Sequence, residues 1–222
     1  MPIRREAPSR EEIALLPPFP GMALEHIHVP VTPAEFAAAA ADLVLHRFVG
    51  FDTESKPTFT KGEISDGPHV VQLSTLHKAY IFQLHRAGSR SSVARLLEST
   101  SLVKVGFGLE SDRGQLLRKF GITPAAVLDL GVVFRREGYR KSIGVRTAVA
   151  ILFKQHFRKP KSVTTTDWSQ PELRDNQLLY AANDAYAALK VLHALQKPES
   201  ELPISGRLHT GGLRGAPGTP IA

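Results

Sequence analysis

Four acidic residues and one tyrosine, spread over three distant segments of the chain, have the types and spacing of a metal-dependent active site. They are Asp52, Glu54, Asp112, Tyr180 and Asp184. Carboxylates at short range repel one another, so a fold that brings them together needs a cation between them. Hard oxygen ligands of this kind suit Mg²⁺ or Mn²⁺, which indicates metal-assisted phosphodiester chemistry.

The local sequence around each acid predicts the element that carries it. Asp52 and Glu54 alternate in a strand-like run and therefore project from the same face. Asp112 follows a strand and a glycine turn, and Tyr180 lies one helical turn before Asp184. Taken singly, a solvated strand end, a helix cap and a surface Tyr–Asp pair explain the three signals better. Their joint occurrence, in this order, favours a shared site.

The elements that must position these residues are predicted in the order of three strands followed by alternating helices and strands. Strands are predicted at 48–54, 69–75, 79–84, 102–106 and 127–130, and helices at 32–46, 91–98, 111–120, 145–157 and 171–196. A short turn at His77 and Lys78 predicts a hairpin between the second and third strands. The order predicts an α/β sandwich with a mixed five-stranded sheet flanked by helices.

Proline and glycine divide the chain into three parts. Residues 1–22 are predicted to be a flexible extension without regular helix, because they contain Pro17, Pro18 and Pro20. Residues 23–197 form the predicted domain. Residues 198–222 are rich in proline and glycine and are predicted to be a flexible tail.

Composition limits the class of protein. The chain has 222 residues, and 28 Lys and Arg against 21 Asp and Glu give a net charge of +7, which favours polyanionic partners such as nucleic acid. There is no cysteine, so thiolate metal sites and disulfides are excluded. No apolar run is long enough to span a membrane, and there is no secretory signal pattern, so a cytoplasmic location is expected. None of the nine histidines is spaced as a metal ligand. Oligomeric state is not predicted.

The combined motifs resemble the DEDDy group of 3′–5′ exonucleases, which have a ribonuclease H-like fold. The similar segments are Phe51–Glu54, Lys104–Gly106 with Gly108–Asp112, Lys161–Ser169 and Gln177–Asp184. The likeness is closest to the Werner-syndrome-type exonuclease domain and more distant to ribonuclease D, and covers about residues 25–196. The sequence departs from the family pattern at Ser55 and at 142–146, where a Leu-rich helix start is more usual; both departures concern substrate shape.

The resemblance implies a role for each of the five residues. Asp52 bridges two divalent ions, while Glu54 and Asp184 bind the ion that carries the attacking water. Asp112 holds the second ion, directly or through water, and Tyr180 orients the water. The implied reaction releases nucleoside 5′-monophosphates from the 3′ end of a nucleic acid. DNA is favoured and RNA is possible, with DNA repair as the expected context.

Basic and aromatic residues outside these motifs are candidates for substrate contacts. They are Lys56, Lys61, Phe107, Arg158 and Lys161. Such cations bind phosphates without reading sequence, although a solvated basic surface explains each of them equally well.

Two other functions stay open at this point. Gly106–Ser111 imitates a dinucleotide-binding turn with Asp129 as ribose partner, although Ser111 replaces the third glycine and three consecutive strands argue against a doubly wound sheet. The second is a non-catalytic nucleic-acid-binding module of the same fold. Metal-dependent hydrolysis of nucleic acid would distinguish an exonuclease from both alternatives.

Overall fold

The computed structural model of the chain describes residues 4–58, 62–63 and 65–206. The strands are β1 (Ile27–His28), β2 (Phe48–Glu54), β3 (Val70–Ser74), β4 (Ala79–Gln83), β5 (Val103–Gly106) and β6 (Val127–Asp129). The helices are α1 (Arg10–Ala14), α2 (Pro33–Leu43), α3 (Ser89–Glu98), α4 (Glu110–Phe120), α5 (Leu130–Arg136), α6 (Val145–Phe153), α7 (Lys161–Thr164) and α8 (Asp175–Leu195). Among the described helices, none combines the length and apolarity that a bilayer crossing requires.

The sheet is mixed, as the sequence predicts, and its strand order is β1-β4-β3-β2-β5-β6. β2 is central, antiparallel to β3 and parallel to β5. The prediction of five strands was wrong, because β1 adds a sixth strand parallel to β4. A strand of two residues is too short to show alternating hydrophobicity in the sequence.

The predicted hairpin between β3 and β4 is confirmed. The two strands pair antiparallel from Val70 opposite Gln83 to Ser74 opposite Ala79. Thr75 closes the turn, since its hydroxyl oxygen accepts hydrogen bonds from the backbone N–H groups of His77 and Lys78 at 3.1 and 3.0 Å. The short polar turn thus fixes the register of the strands beside the central strand β2.

Helices cover the sheet on two sides, and one of them reaches the centre of the site. α8 packs on β2, β3, β4 and β5, while α2 and α3 share an apolar cluster with the opposite side of β2, β3 and β4. The closest approach is at Gly50 of β2, where a Cβ atom would overlap the carbonyl oxygen of Ala185 in α8. The absence of a side chain at Gly50 therefore lets the helix lie directly on the central strand.

The largest difference from the sequence-based expectation lies before residue 23. No regular structure was predicted there, yet α1 occupies Arg10–Ala14, ahead of the prolines. Ser9 and Glu12 form a capping box at its start, a local signal that the proline content obscured. We call residues 4–22 the N-terminal segment. Its predicted flexibility stays a prediction.

The N-terminal segment is joined to the domain by backbone hydrogen bonds and aromatic packing. The His156 N–H donates to the Pro17 carbonyl oxygen at 2.7 Å, and the Phe19 N–H donates to the His156 carbonyl oxygen at 3.0 Å. The Met22 N–H donates to Asn183 Oδ1 at 2.7 Å. The Phe19 ring lies 5.7 Å from that of Phe153. Packing therefore continues across the predicted domain boundary between residues 22 and 23.

The opposite boundary, between residues 197 and 198, is likewise bridged by contacts. Ser205 and Val127 exchange two backbone hydrogen bonds, of 3.0 and 2.8 Å, which add a bridge to the edge strand β6. Leu202 is buried. Residues 207–222 of the predicted tail lie outside the described residues.

Several helix limits also differ from those predicted. The last helix begins at Asp175 rather than Pro171, since Gln177 caps its first turn by accepting from the Arg174 N–H at 3.1 Å. α6 ends at Phe153 rather than residue 157. The short helices α5 and α7 were not predicted, because neither is long enough to show a full apolar period.

Candidate active site

Three of the predicted acids meet between the central strand and the last helix. Asp52 and Glu54 project from β2 toward α8, which carries Asp184. One carboxylate oxygen from each of the three residues lies within 4.8 Å of the other two. The juxtaposition follows from the alternation of side chains along β2 and from the close contact at Gly50.

Crowding and burial make ionisation of this group costly. Burial raises the pKa of Asp52 well above its usual value, and the carboxylates of Asp184 and Asp112 raise it further. Burial also raises the pKa of Glu54, with Asp52 as the next cause, and that of Asp184 to about 6. A cation among the three carboxylates would remove this penalty.

The donor set fits a divalent metal ion. Three carboxylates provide the hard oxygen ligands that Mg²⁺ and Mn²⁺ prefer. Asp184 is only 4% exposed, yet within the described part of the chain its Oδ1 has no hydrogen-bond partner. A buried carboxylate oxygen without a partner is costly unless a ligand satisfies it.

Lys159 supplies one positive charge to the site and was not among the residues predicted. Its ammonium group lies 2.6 Å from Asp184 Oδ2 and 5.1 Å from the centre of the Tyr180 ring. Although burial lowers the pKa of Lys159, the carboxylates of Asp184 and Asp52 outweigh it and raise the pKa overall. The amine is therefore charged at neutral pH.

A sequence signal for Lys159 exists. Pro160 disfavours helix at the residue before it, so extended backbone is expected there. In extended chain, alternate residues share a side, and Phe157 is buried. The same alternation that buries Phe157 directs Lys159 inward and leaves Arg158 outside.

Asp112 lies near the other three acids but has a protein partner. It occupies the first turn of α4 and is 9% exposed. Its Oδ1 accepts a hydrogen bond from the hydroxyl of Thr53, the β2 residue between Asp52 and Glu54. Asp112 is not a member of the three-carboxylate group, although its charge raises the pKa of Asp52. The structure therefore places it beside this group, held by Thr53.

Tyr180 lies on the Asp184 side of the site. Its hydroxyl is 3.0 Å from Thr164 Oγ1 in α7, and its ring is 5.8 Å from that of Trp168. Burial, followed by the charge of Asp184, raises the pKa of the phenol. Tyr180 is therefore a neutral hydroxyl at physiological pH, suited to donating a hydrogen bond rather than to acting as a base.

A pocket of about 380 Å³ opens beside Asp52 and Asp184, and Phe107 and Lys159 contribute to its wall. Of the predicted substrate contacts that the structure describes, Phe107 alone lines this pocket; its ring stacks on Phe134 at 6.4 Å.

The other predicted contacts lie elsewhere. Arg158 is exposed and lines a separate, apolar hollow with Tyr180. Lys56 and Lys161 are exposed, Lys161 as the first residue of α7. Lys61 lies outside the described residues. In the described structure, Arg158, Lys56 and Lys161 do not line the pocket beside Asp52 and Asp184.

The turn that imitates a dinucleotide-binding loop has a structural explanation. Asp129, the proposed ribose partner, instead caps α5 by accepting from the Gly131 N–H at 2.8 Å. Its second oxygen accepts from the Leu109 N–H at 3.1 Å, which fixes the glycine turn. Because β2 and β3 are antiparallel, the sheet is not doubly wound. The oxidoreductase alternative was therefore wrong.

The mixed sheet with its flanking helices is the ribonuclease H-like fold, and three acidic residues meet between its central strand and its last helix. A family model described as 3′-5′ exonuclease matches residues 27–198. The chain therefore belongs to the 3′–5′ exonuclease family.

Curated relatives agree with this assignment. The chain is 30% identical over 151 residues to a 3′-5′ exonuclease of Arabidopsis thaliana, covering 67% of this chain and 52% of the relative. It is 29% identical over 170 residues to the mouse bifunctional 3′-5′ exonuclease/ATP-dependent helicase WRN, covering 70% of this chain and 12% of that protein. The chain thus spans about half of the first relative and a small part of the second.

Trypanosoma brucei RNase D, solved in complex with RNA U12, shares the fold. The TM-score is 0.68 at 19% identity, over 88% of this chain and 68% of that one.

Proposed function

We propose that this chain is a metal-dependent exonuclease that hydrolyses phosphodiester bonds from the 3′ end of a nucleic acid and releases nucleoside 5′-monophosphates. The observation that carries the proposal is the convergence of Asp52, Glu54 and Asp184, with one buried oxygen of Asp184 lacking a partner among the described residues. Family membership supplies the reaction class. We further propose residues 23–197 as the catalytic domain and a cytoplasmic location.

In this proposal, Asp52, Glu54 and Asp184 hold two Mg²⁺ or Mn²⁺ ions, with Asp112 as an additional ligand, direct or through water. Bound ions of this kind lower the pKa of a coordinated water and stabilise charge on the leaving oxygen. Thr53 fixes the carboxylate of Asp112 through its hydroxyl. This second contact holds the ligand in one orientation.

The neutral side chain of Tyr180 donates a hydrogen bond that orients the attacking water. Thr164 restrains the phenol oxygen, since the two hydroxyls are 3.0 Å apart. Lys159 holds positive charge beside Asp184 and the pocket, where it can contact a phosphate oxygen of the substrate.

DNA is the substrate class that we favour, because the Werner-type relative shows 29% identity over most of this chain. RNA is the second candidate, because the solved structure of similar fold holds an RNA. The distinction depends on contacts to the 2′-hydroxyl.

One panel of substrates tests the proposal. Single-stranded and recessed DNA and RNA, each labelled at the 3′ or the 5′ end, are incubated with Mn²⁺, Mg²⁺ or EDTA. We expect a ladder from 5′-labelled strands, immediate release of a labelled mononucleotide from 3′-labelled strands, and no reaction in EDTA. Binding without hydrolysis under all metal conditions would support the non-catalytic module instead.

Tyr180→Phe distinguishes an orienting hydroxyl from an essential base. The variant keeps the ring contact with Trp168 and loses the hydroxyl. We expect kcat to fall by about 10²-fold, the lower end of the range for a positioned proton donor or acceptor, with residual activity retained. Complete loss of hydrolysis by a folded Tyr180→Phe protein would contradict the orienting role. Thr164→Val removes the hydroxyl that restrains the Tyr180 phenol and serves as the matched control. It should lower kcat less than Tyr180→Phe does.

A further inference from the structure

The pocket beside Asp52 and Asp184 has one wall that precedes the family match and a second that lies within it. One is the N-terminal segment, which precedes the family match at residue 27 and contributes Arg10 and Ile13. The other is the start of α6, where four consecutive residues, 144–147, line the pocket. This second wall overlaps the stretch that departs from the family pattern in sequence.

Packing holds the first wall in place. Ile13 of α1 is 5% exposed, and the chain that follows it pairs with His156 on both sides of Pro18. Phe19 then packs against the rings of Phe157 and Tyr186, at 5.8 and 6.2 Å. Arg10 is thereby presented at the pocket by a segment with its own buried anchors.

The second wall is the first turn of a nine-residue helix. α6 begins after Gly144, which has no side chain to cap the free N–H groups. Arg146 lies in this first turn, where the helix dipole disfavours a cation. Free N–H groups together with an arginine at a helix start favour an anion, which would stabilise both.

Neither arginine has a structural role in the part of the chain that is described. Their guanidinium groups are exposed and have no hydrogen-bond or ion-pair partner among those residues. Arg47, by contrast, binds the Glu199 carboxylate, with Nη2 and Oε1 2.6 Å apart. Arg10 and Arg146 are therefore available to a ligand at the pocket.

The charges around the pocket indicate which ligand. Three carboxylates repel a polyanion, and in the proposed function metal ions offset that repulsion at the scissile phosphate alone. A strand with further phosphates needs further cations, and arginine is the side chain best suited to binding them.

We propose that Arg10, Arg146 and the uncapped first turn of α6 form a subsite for a backbone phosphate on the 5′ side of the scissile one. The subsite rests on the proposed exonuclease function and extends it to the nucleotides that remain after each cleavage. It makes the N-terminal segment a part of the substrate site.

Binding measurements in EDTA, where the proposed reaction cannot occur, test the subsite directly. Fluorescence anisotropy follows a single-stranded octanucleotide over a range of salt concentrations for the full-length chain, Arg10→Gln and Arg146→Gln. Each substitution should reduce the slope of log affinity against log salt by about 0.7, the value for one phosphate contact of a single strand. Arg95→Gln is the matched control, an exposed arginine on α3, across the sheet from α8.

Substrate length supplies the second readout. Both variants should raise KM for an octanucleotide by about tenfold and leave kcat unchanged, as expected for loss of one charged contact outside the reacting centre. A dinucleotide without a 5′-phosphate has no phosphate beyond the scissile one, so its KM should not change.

The possible results separate the two proposals. Arg10→Gln and Arg146→Gln proteins that match Arg95→Gln in salt slope and in octanucleotide KM would overturn the subsite, even if the unsubstituted chain is an active exonuclease. Equal effects on dinucleotide and octanucleotide would also overturn it. An unsubstituted chain that hydrolyses nothing with Mn²⁺ would overturn the proposed function, while the salt slopes would still decide whether the two arginines bind phosphate.

Discussion

Asp129 and Asp184 differ in the protein groups that bind their carboxylate oxygens. Around Asp129 the protein provides the partners, two backbone N–H groups at 2.8 and 3.1 Å. Around Asp184 it provides one ammonium group and leaves Oδ1 without a hydrogen-bond partner among the described residues. Asp129 lies at the end of β6 in the sheet, whereas Asp184 lies on α8, the helix that packs on the sheet.

The comparison distinguishes carboxylates that stabilise the fold from carboxylates that destabilise it. Asp129 fixes a helix start and a glycine turn, which favours folding. Burial raises the cost of ionising Asp52, Glu54 and Asp184, and the charge of Asp184 raises it further for Asp52 and Glu54, which opposes folding unless a cation is bound. Asp112 is intermediate, because Thr53 satisfies one of its oxygens.

The largest expected effect is a contrast between two variants: substitution of Asp184 should reduce activity but not stability, and substitution of Asp129 should reduce stability more than activity. Asp184→Asn should lower kcat by at least about 10³-fold, since the proposed ion site loses a ligand and several kcal/mol of charge stabilisation. Its melting temperature should not fall. Asp129→Ala should instead lose about 1–3 kcal/mol of stability, because two N–H groups lose their acceptor. Its activity at a permissive temperature should stay within about tenfold of the unsubstituted chain.

Steady-state kinetics measures the activity of both variants, and thermal denaturation measures their stability. A folded Asp184→Asn protein with unchanged turnover would remove the basis of the comparison. So would an Asp129→Ala protein that is fully stable and inactive.

The intermediate position of Asp112 predicts a smaller effect at Thr53. Thr53→Val keeps the shape of the side chain and removes the hydroxyl that Asp112 accepts from. Partners of metal ligands are worth about 10–100-fold in metal affinity or activity, and we expect a loss in that range. Thr53→Ser restores a hydroxyl and should recover most of it. Equal losses in the two variants would show that shape, and not the hydrogen bond, matters at this position.

Removing the positive charge of Lys159 should strengthen metal binding. Lys159→Met leaves both oxygens of Asp184 free for a metal ion, so Mn²⁺ affinity measured by titration calorimetry should rise by about tenfold. The same variant should melt at a lower temperature in EDTA, because the buried carboxylates lose their positive partner. Lys161→Met, with the same charge change at an exposed position, is the control. Weaker Mn²⁺ binding by Lys159→Met would mean that the lysine supports the ion site rather than competing with the ion.

The smallest effect concerns the pH dependence of stability. Burial raises the pKa of Asp184 to about 6 and that of Glu54 to about 9, above the values of an unfolded chain. Their contribution to the stability of the metal-free protein is fully present below about pH 4 and is lost as the pH rises through these folded values. Mn²⁺ binds the ionised carboxylates, so the stabilisation it provides should grow with pH.

Thermal denaturation between about pH 5.5 and pH 8.5 measures this dependence. The difference in melting temperature between Mn²⁺ and EDTA should widen by about 5 °C over this range. A constant difference would show that these carboxylates are ionised regardless of the ion. Asp184→Asn should flatten the dependence.

Local patterns in the sequence predicted the residues whose placement depends on a single element. Alternation along β2 placed Asp52 and Glu54 on one face, and a helical turn placed Tyr180 beside Asp184. The mixed sheet and the exonuclease family were also predicted correctly. In each case the signal repeats within a few residues and needs no knowledge of distant contacts.

The features that were missed depend on packing between distant parts of the chain. Lys159 is a partner of Asp184 because of the fold around Pro160, and β1 exists only beside β4. The contacts of the N-terminal segment depend on His156 and Asn183, which composition near residue 20 does not reveal. The three-carboxylate group without Asp112 likewise depends on a hydrogen bond from Thr53.

Gly50 sets the spacing between two elements that carry the acids of the proposed ion site. Because no side chain separates β2 from α8 there, Asp52 and Asp184 are held at the distance that the two backbones allow. Oxygen ligands lie about 2.1 Å from Mg²⁺ and about 2.4 Å from Ca²⁺, a difference smaller than the displacement that one methyl group would force. In the proposed function, a residue that carries no functional group would therefore determine the size of cation that the acids can hold.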